Sequence, residues 1–216
     1  MNDLNPEISG WDRMLSQAWL DRSVAVIAAA PFAWVMWLYL QVENMPLEMM
    51  LIVINLATIT VTMLLRHPPR RVTSNPGFWL LALIASYWLF FTRGFYLPGE
   101  RLAPQWLTLS VVVIGFLLTI WARLSLGRNI GLVPAQREIV STGAYRWVRH
   151  PIYTGIFLSL IASTLADYAP RNLMLSVIWA GLFAYKSFVE EGFLKQSEEY
   201  AEYMRKVRWR WVPFVV

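Results

Sequence analysis

The stretch YRWVRHPIYTG, Tyr145 to Gly155, sets arginine, histidine and tyrosine directly against the start of an apolar segment. Pro151 suits the first position of a helix, because its missing N–H would have no partner there and its φ is already helical. His150 then occupies the cap. The free N–H groups and positive dipole end of such a helix favour a carboxylate or phosphate, and Arg146 and Arg149 reinforce that preference. The same residues equally make an interfacial anchor in front of a helix start, and the motif alone leaves both readings open.

A second group follows about forty residues later, where FVEEGFLK places Glu190 beside Glu191. A carboxylate at membrane depth costs on the order of 3 kcal/mol, so near the boundary it needs water or a cationic partner. Adjacent helical residues point roughly 100° apart, so the two glutamates are expected to divide roles. One faces a bound cation or a polar mouth, while the other caps, pairs with arginine or meets water. Lys186 lies one turn before Glu190, and an i,i+4 ion pair is expected. An anion-favouring helix start and a carboxylate pair brought to one side make a site for a zwitterion, a ligand with both amino and carboxyl groups. The polar stretch 123–150 and the tail, with Tyr200 and Tyr203, would cover it.

The elements that must position these residues are membrane helices. The chain of 216 residues is 57% hydrophobic, carries 12 Trp and only 15% charged residues, against about 25% in soluble domains. Apolar windows near the bilayer length of about 20 residues occur at 24–42, 47–65, 78–96 and 106–122, with two more at 152–166 and 173–189. The expectation is an all-α polytopic membrane protein of about six transmembrane helices. The fifth window is short and the link Asp167 to Asn172 is tight, so the last two windows should form a hairpin that need not cross the full thickness. Gly155, Ser159 and Ser163 make a small-residue stripe on its first helix, and Ala180 and Ala184 one on its second, expected to pack the hairpin together. Trp79, Trp106 and Trp121 fit interfacial belts, and Arg93 in the third span can snorkel.

Leu4, Ile8, Trp11, Leu15 and Ala18 recur at helical spacing, as in an arm lying in the membrane interface or an ordinary solvated helix. The first 22 residues lack the basic start and small-residue cleavage site of a secretory signal, so no segment is expected to be removed. The chain divides into 1–122, an interfacial arm with four spans, and 123–216, a loop, hairpin and tail. Lys and Arg concentrate on the cytoplasmic side of membranes. With the N-terminus inside, the inner segments hold 15 of the 19 basic residues, which predicts both termini cytoplasmic, as in a bacterial-type inner membrane. The net charge of +5 then reflects this asymmetry and anionic lipid headgroups, not nucleic acid. With no cysteine there is neither a disulfide nor a thiol nucleophile, and no metal site is expected.

The residues from LGRN at 126–129, through STGAYRWVRHPIYTG at 141–155 and EEGFL at 190–194, to EEYAEY and the closing VPF at 212–214 resemble the isoprenylcysteine carboxyl methyltransferase and phospholipid methyltransferase superfamily of integral-membrane enzymes. The chain departs from the common pattern at Ala144, where proline is frequent, and in a slightly longer stretch between Tyr203 and Pro213. The resemblance implies methyl transfer from S-adenosylmethionine to a lipophilic acceptor, in a cofactor pocket at the cytoplasmic mouth. The cofactor contacts it implies are Gly143, Tyr145, Arg149, His150, Pro151, Tyr153, Glu190, Glu191 and Tyr203. The four N-terminal spans are taken as walls of a lateral path for a lipid.

A sulfonium is already activated, so the protein has chiefly to align the acceptor and exclude water. An acceptor carboxylate or phosphate is ionised at neutral pH and needs only a positive clamp, for which Arg128, Arg205 and Arg208 are the candidates. An amine acceptor must lose a proton, and His150, Tyr153 or a glutamate, Glu191 among them, would take it. Two other readings stay open. One is an NADPH-dependent membrane reductase of the sterol-reductase type, whose C-terminal core is comparable; the other is a non-enzymatic haem-carrying or assembly protein that uses His67 and His150.

Overall fold

The computed structural model describes residues 14, 17–88, 90 and 96–215. The arm before Ala18 and the snorkelling of Arg93 fall outside them, except for Met14 and Gln17. The chain is mostly helical: α1 (Ala18–Leu40), α2 (Leu47–Leu64), α3 (Pro76–Ser86), α4 (Gln105–Leu126), α5 (Pro151–Ala166), α6 (Pro170–Leu194) and α7 (Glu198–Lys206). Of these, α1, α2, α4 with the 3₁₀ turn that continues it to Asn129, and α6 are long and apolar enough to cross a membrane. The windows at 78–96 and 152–166 yield shorter apolar helices, α3 and α5. Proline opens α3, α5 and α6, where its absent N–H costs nothing.

The four long helices turn large apolar side chains outward. Ile27, Ile114 and Val177 are more than half exposed, as helices surrounded by hydrocarbon require. Inside, α1 and α2 pack around Phe32, Leu56, Ile59 and Met63. A second cluster joins α5 to α6 through Tyr153, Ile156, Leu160, Trp179 and Phe183. The small-residue stripe of α5 faces α4, not α6. A Cβ on Gly155 would stand 2.5 Å from the carbonyl oxygen of Gly115 and 2.2 Å from Thr119 Oγ1, so the two backbones meet where only glycine fits.

Two boundaries differ from expectation. Helix α4 runs on to Leu126, which places Arg123 within the helix and buries it. Helix α6 continues to Leu194, so both glutamates lie inside it. The polar stretch between α4 and α5 is fastened to the link between α2 and α3. Strands β1 (Arg71–Val72) and β2 (Ala135–Gln136) pair antiparallel, with Arg71 opposite Gln136 and Val72 opposite Ala135. His67 N donates to the Arg128 carbonyl at 2.8 Å, and Ile130 and Leu132 enter the α1–α2 core. A buried ion cluster reinforces the join: Arg66 donates to both oxygens of Asp21, at 3.0 and 2.6 Å, and Arg137 reaches the same carboxylate at 3.3 Å. Burial, then the Arg66 charge, lowers the Arg137 guanidinium to about 10, with Asp21 opposing.

At the opposite end, Glu100 and Tyr168 form an antiparallel bridge, and Asn172 binds the backbone of Leu97 in both directions. The links before α4 and between α5 and α6 therefore share one end, and the start of α5, the end of α6 and the tail share the other.

Candidate active site

The tail closes the start of α5. Arg149 N donates to the Trp209 carbonyl at 2.9 Å and His150 N to the Arg210 carbonyl at 2.8 Å, while Thr154 Oγ1 donates to the Trp211 carbonyl. The N–H groups leading into the helix are thus already occupied by protein oxygens. The contribution of this helix start lies in its side chains. His150 holds the cap position without a side-chain capping bond; its ring stacks on Tyr153 at 5.3 Å and approaches Glu191 Oε1 with Nε2 at 3.1 Å.

The two glutamates divide their roles. Glu191 is buried under two cations, Arg149 Nε at 2.7 Å and Arg210 Nη2 at 2.6 Å, with His150 Nε2 beside them at 3.1 Å. Arg149 also donates to the carbonyls of Val207 and Arg208. This cluster bolts α5, α6 and the tail together. Glu190 faces a cavity. Its carboxylate accepts from Tyr153 Oη at 2.9 and 2.8 Å and from Lys186 Nζ at 2.5 Å, and Lys186 donates to Tyr153 at 2.7 Å. Tyr153, Lys186 and Glu190 therefore close a triangle in which the tyrosine hydroxyl is both donor and acceptor.

The cavity, about 210 Å³, is lined on one side by Tyr153, Lys186, Glu190, Arg149 and His150, and on another by the polar stretch from Asn129 to Val140. Tyr145, Tyr200 and Tyr203 supply an aromatic wall. Ser197 caps α7 by accepting from Tyr200 N, and Glu198 and Glu199 at its start with Arg205 and Lys206 at its end suit the dipole. That helix holds both its tyrosines inward. Tyr203 Oη donates to the Tyr145 carbonyl at 2.8 Å. Burial pushes the hydroxyls of Tyr145, Tyr200 and Tyr203 well above the ordinary tyrosine range. The Asn129 Oδ1 atom is buried with no hydrogen-bond partner among the described residues.

The expected site residues separate accordingly. Tyr145, Arg149, His150, Tyr153, Glu190 and Tyr203 line the cavity. Glu191 stands behind it in the ion cluster. Pro151 is fully buried. Gly143 turns the chain at φ +58°, where a Cβ would stand 2.3 Å from Ser125 Oγ, so its part is to bring Tyr145 beneath α4. The three arginines expected as clamps lie elsewhere: Arg128, Arg205 and Arg208 are exposed and do not line the cavity. Arg128 Nε instead donates to the Leu65 carbonyl at 2.7 Å. Reasoning from sequence missed Arg123, Asn129 and Arg137, which do line the cavity. Arg123 looked like the first residue of a loop because it ends an apolar run, and a charge inside a helix gives no other signal.

Residues 104–201 match the phospholipid methyltransferase family. The chain is 27% identical over 146 residues to a protein-S-isoprenylcysteine O-methyltransferase of Tribolium castaneum, covering 62% of this chain and 51% of that protein. It is 28% identical over 147 residues to protein-S-isoprenylcysteine O-methyltransferase B of Arabidopsis thaliana, covering 62% and 73%. Over 73 residues it is 40% identical to the protein-S-isoprenylcysteine O-methyltransferase of Saccharomyces cerevisiae, covering 32% of this chain and 30% of that one. The match spans about half the length of the Tribolium castaneum protein. Over residues 104–201 the chain is thus similar to the phospholipid methyltransferase family, and the curated relatives that it matches are isoprenylcysteine O-methyltransferases, which supports the superfamily of membrane methyltransferases.

Proposed function

We propose that the chain transfers a methyl group from S-adenosylmethionine to a lipophilic acceptor at the cytoplasmic face of a membrane in which it is integral. The observation that carries this reading is the convergence of the His-Pro-x-Tyr helix start and the Glu-Glu helix end on one cavity, with Tyr153 Oη 2.8 Å from Glu190. The relatives' names support an O-methyl acceptor.

The donor set suits an amphoteric nucleoside. Glu190 offers a carboxylate to an ammonium group, since a carboxylate has about four acceptor positions. Asn129 Oδ1, buried without a partner among the described residues, offers an acceptor to an amino group. Tyr145, Tyr200 and Tyr203 offer ring faces to a base. Arg149 and His150, at the same wall, offer donors to a carboxylate. S-adenosylmethionine, when bound, supplies an activated methyl group on a sulfonium sulfur.

The protein's own work is then binding, orientation and exclusion of water. Lys186 occupies the acceptor side of the Tyr153 hydroxyl and Glu190 its donor side, so Tyr153 orients Glu190 and does not serve as a base. Glu191 holds Arg149, His150 and Arg210 in place instead of meeting ligand. A carboxylate acceptor needs no proton removed, and a site whose tyrosine and glutamates are already engaged suits it. The β1–β2 ladder and the Arg137–Asp21 contact fasten the polar stretch over the cavity, which gives the N-terminal helices a part in forming its roof.

The test is equilibrium binding of S-adenosylmethionine to the purified full chain in detergent, followed by incubation of membranes with methyl-labelled S-adenosylmethionine and extraction of lipid. Binding is expected, with label passing to an apolar product, and both should fall sharply in His150→Ala and Glu190→Ala. Absence of binding by the native chain would refute the proposal.

A further inference from the structure

Among the described residues, Arg66, Arg123, Arg149 and Lys186 are basic residues buried as a whole. Three of them have a carboxylate, respectively Asp21, Glu191 and Glu190. Among the described residues, Arg123 alone has none. Its guanidinium meets only Asn55, whose side-chain amide oxygen and backbone carbonyl both accept from Nη1. A guanidinium carries five N–H donors, and the Nε and Nη2 groups make no hydrogen bond to the described protein. Burying a charge without an opposite charge is costly, and native proteins keep such a group where something else compensates it.

The surroundings indicate what compensates it. Arg123 lines the main cavity together with Tyr145, Tyr153 and Glu190, and it also lines a small seam of about 30 Å³ between α1, α2, α4 and α5. Phe32, Leu56, Ile59, Phe116 and Ile156 wall the seam, and Ile59, Ser86, Trp88, Arg123 and Ile156 belong to both spaces. The cation borders both spaces, the smaller one walled by these apolar side chains together with Asn55, Ser86, Thr119 and Ser159. Asn55, an uncharged partner from α2, fixes the side chain without neutralising it.

We infer that Arg123 binds the anionic head of the methyl acceptor, a carboxylate or phosphate carried on an apolar chain, and selects acceptors by charge. The inference rests on the methyltransferase reading above. Methylation joins an acceptor oxygen to the methyl carbon while the carbon–sulfur bond breaks, its electron pair going to sulfur. An anion and a sulfonium become an ester and a thioether, and no proton is released. The acceptor therefore leaves with one negative charge fewer than it brought, a carboxylate becoming neutral and a phosphate monoester dianion becoming a diester monoanion. Arg123 holds the acceptor more strongly than the transition state, where that charge is already partly spent, and more strongly than the product, which the site lets go. Removing an interaction greater in the ground state than in the transition state raises KM and does not lower kcat. An ammonium acceptor would meet repulsion at the same position.

The experiment compares the full-length native chain with Arg123→Met and Arg123→Lys in detergent or nanodiscs. The acceptors are N-acetyl-S-farnesylcysteine, farnesyl phosphate and phosphatidylethanolamine, and S-adenosylmethionine affinity is measured in parallel. Arg123→Met should raise KM for the anionic acceptor at least tenfold, leave kcat within about twofold and leave S-adenosylmethionine affinity unchanged; Arg123→Lys should recover part of the loss. Whichever of the carboxylate and the phosphate shows the larger KM effect identifies the head group. Because loss of a buried arginine can unfold the protein, the native chain is also titrated with N-acetyl-S-farnesylcysteine and its methyl ester, and the acid should bind at least tenfold more tightly. Equal affinities for acid and ester, an unchanged KM in Arg123→Met, or turnover of phosphatidylethanolamine in preference to both anions would overturn the assignment. Loss of S-adenosylmethionine binding by the native chain would instead count against the underlying methyltransferase reading.

Discussion

Tyr153 and Glu190 lie 37 residues apart in sequence and share a bifurcated hydrogen bond, the hydroxyl standing 2.9 and 2.8 Å from the two carboxylate oxygens, that ties the first turn of α5 to the last turns of α6. Lys186, one turn earlier on α6, completes the triangle. Tyr153→Phe keeps the ring stacked on His150 but removes the donor to Glu190 and the acceptor for Lys186. Hydrogen bonds to charged groups contribute roughly 1.5–3 kcal/mol. The variant is therefore expected to bind S-adenosylmethionine about ten- to a hundredfold more weakly while remaining folded, as calorimetry and thermal unfolding together would show.

Glu191 carries a different load. Its carboxylate is the shared counter-charge of Arg149 and Arg210, and it is more deeply buried than either. Glu191→Ala leaves two guanidinium groups facing each other without an anion, and breaking a buried pair in this way costs roughly 3–5 kcal/mol. Glu191→Gln keeps the shape and two acceptor positions and should cost less. The expected order of thermal midpoints in detergent is native, then Gln, then Ala, and a midpoint for Ala equal to the native one would contradict the structural role.

How far the sequence led is visible in these same residues. The two glutamates had to diverge because helical geometry separates neighbours, and the Lys186–Glu190 pair followed from i,i+4 spacing. The fit of Pro151 to a first helical position was equally local. What the sequence hid was tertiary. The stripe Gly155, Ser159, Ser163 marks a close approach but does not name the partner, and α4 supplies it through Gly115 and Thr119. The start of α5 reads as an open anion site because nothing local shows that the tail will lay its Trp209 and Arg210 carbonyls against the Arg149 and His150 N–H groups just before the helix. Arg123 was counted as loop because a charge at the end of an apolar run resembles a membrane boundary; only packing against Asn55 reveals it as interior. Arg128, Arg205 and Arg208 sat in the right segments, yet helix and turn geometry points them outward.

The α4–α5 contact makes a sharp prediction. Alanine at Gly155 would bring its Cβ within 2.5 Å of a backbone oxygen, which cannot yield as a side-chain tip can. Overpacking a tight interface costs typically 1–3 kcal/mol. Gly155→Ala should therefore lower the thermal midpoint, and should also weaken S-adenosylmethionine binding, because α5 carries Tyr153. Gly181→Ala on α6, where a Cβ meets nothing within 4 Å, is the control expected to change neither.

The buried tyrosines predict an alkaline limit. Burial holds the hydroxyls of Tyr145 and Tyr203 protonated in the folded chain beyond the pH at which they ionise when unfolded, about 10. Above that pH the unfolded state releases protons that the folded state keeps, so stability is undiminished below about pH 10 and falls as pH rises toward the folded values. Each such group removes roughly 1.4 kcal/mol per pH unit once its unfolded form is ionised. Tyr203→Phe deletes one of them, so thermal midpoints of native and variant chains measured from neutral pH to above pH 10 should converge as the medium becomes more alkaline. The variant starts lower, because it lacks the hydrogen bond to the Tyr145 carbonyl, and declines less steeply. Parallel curves would mean that Tyr203 is ionised equally in both states and that the aromatic wall of the cavity is open to water.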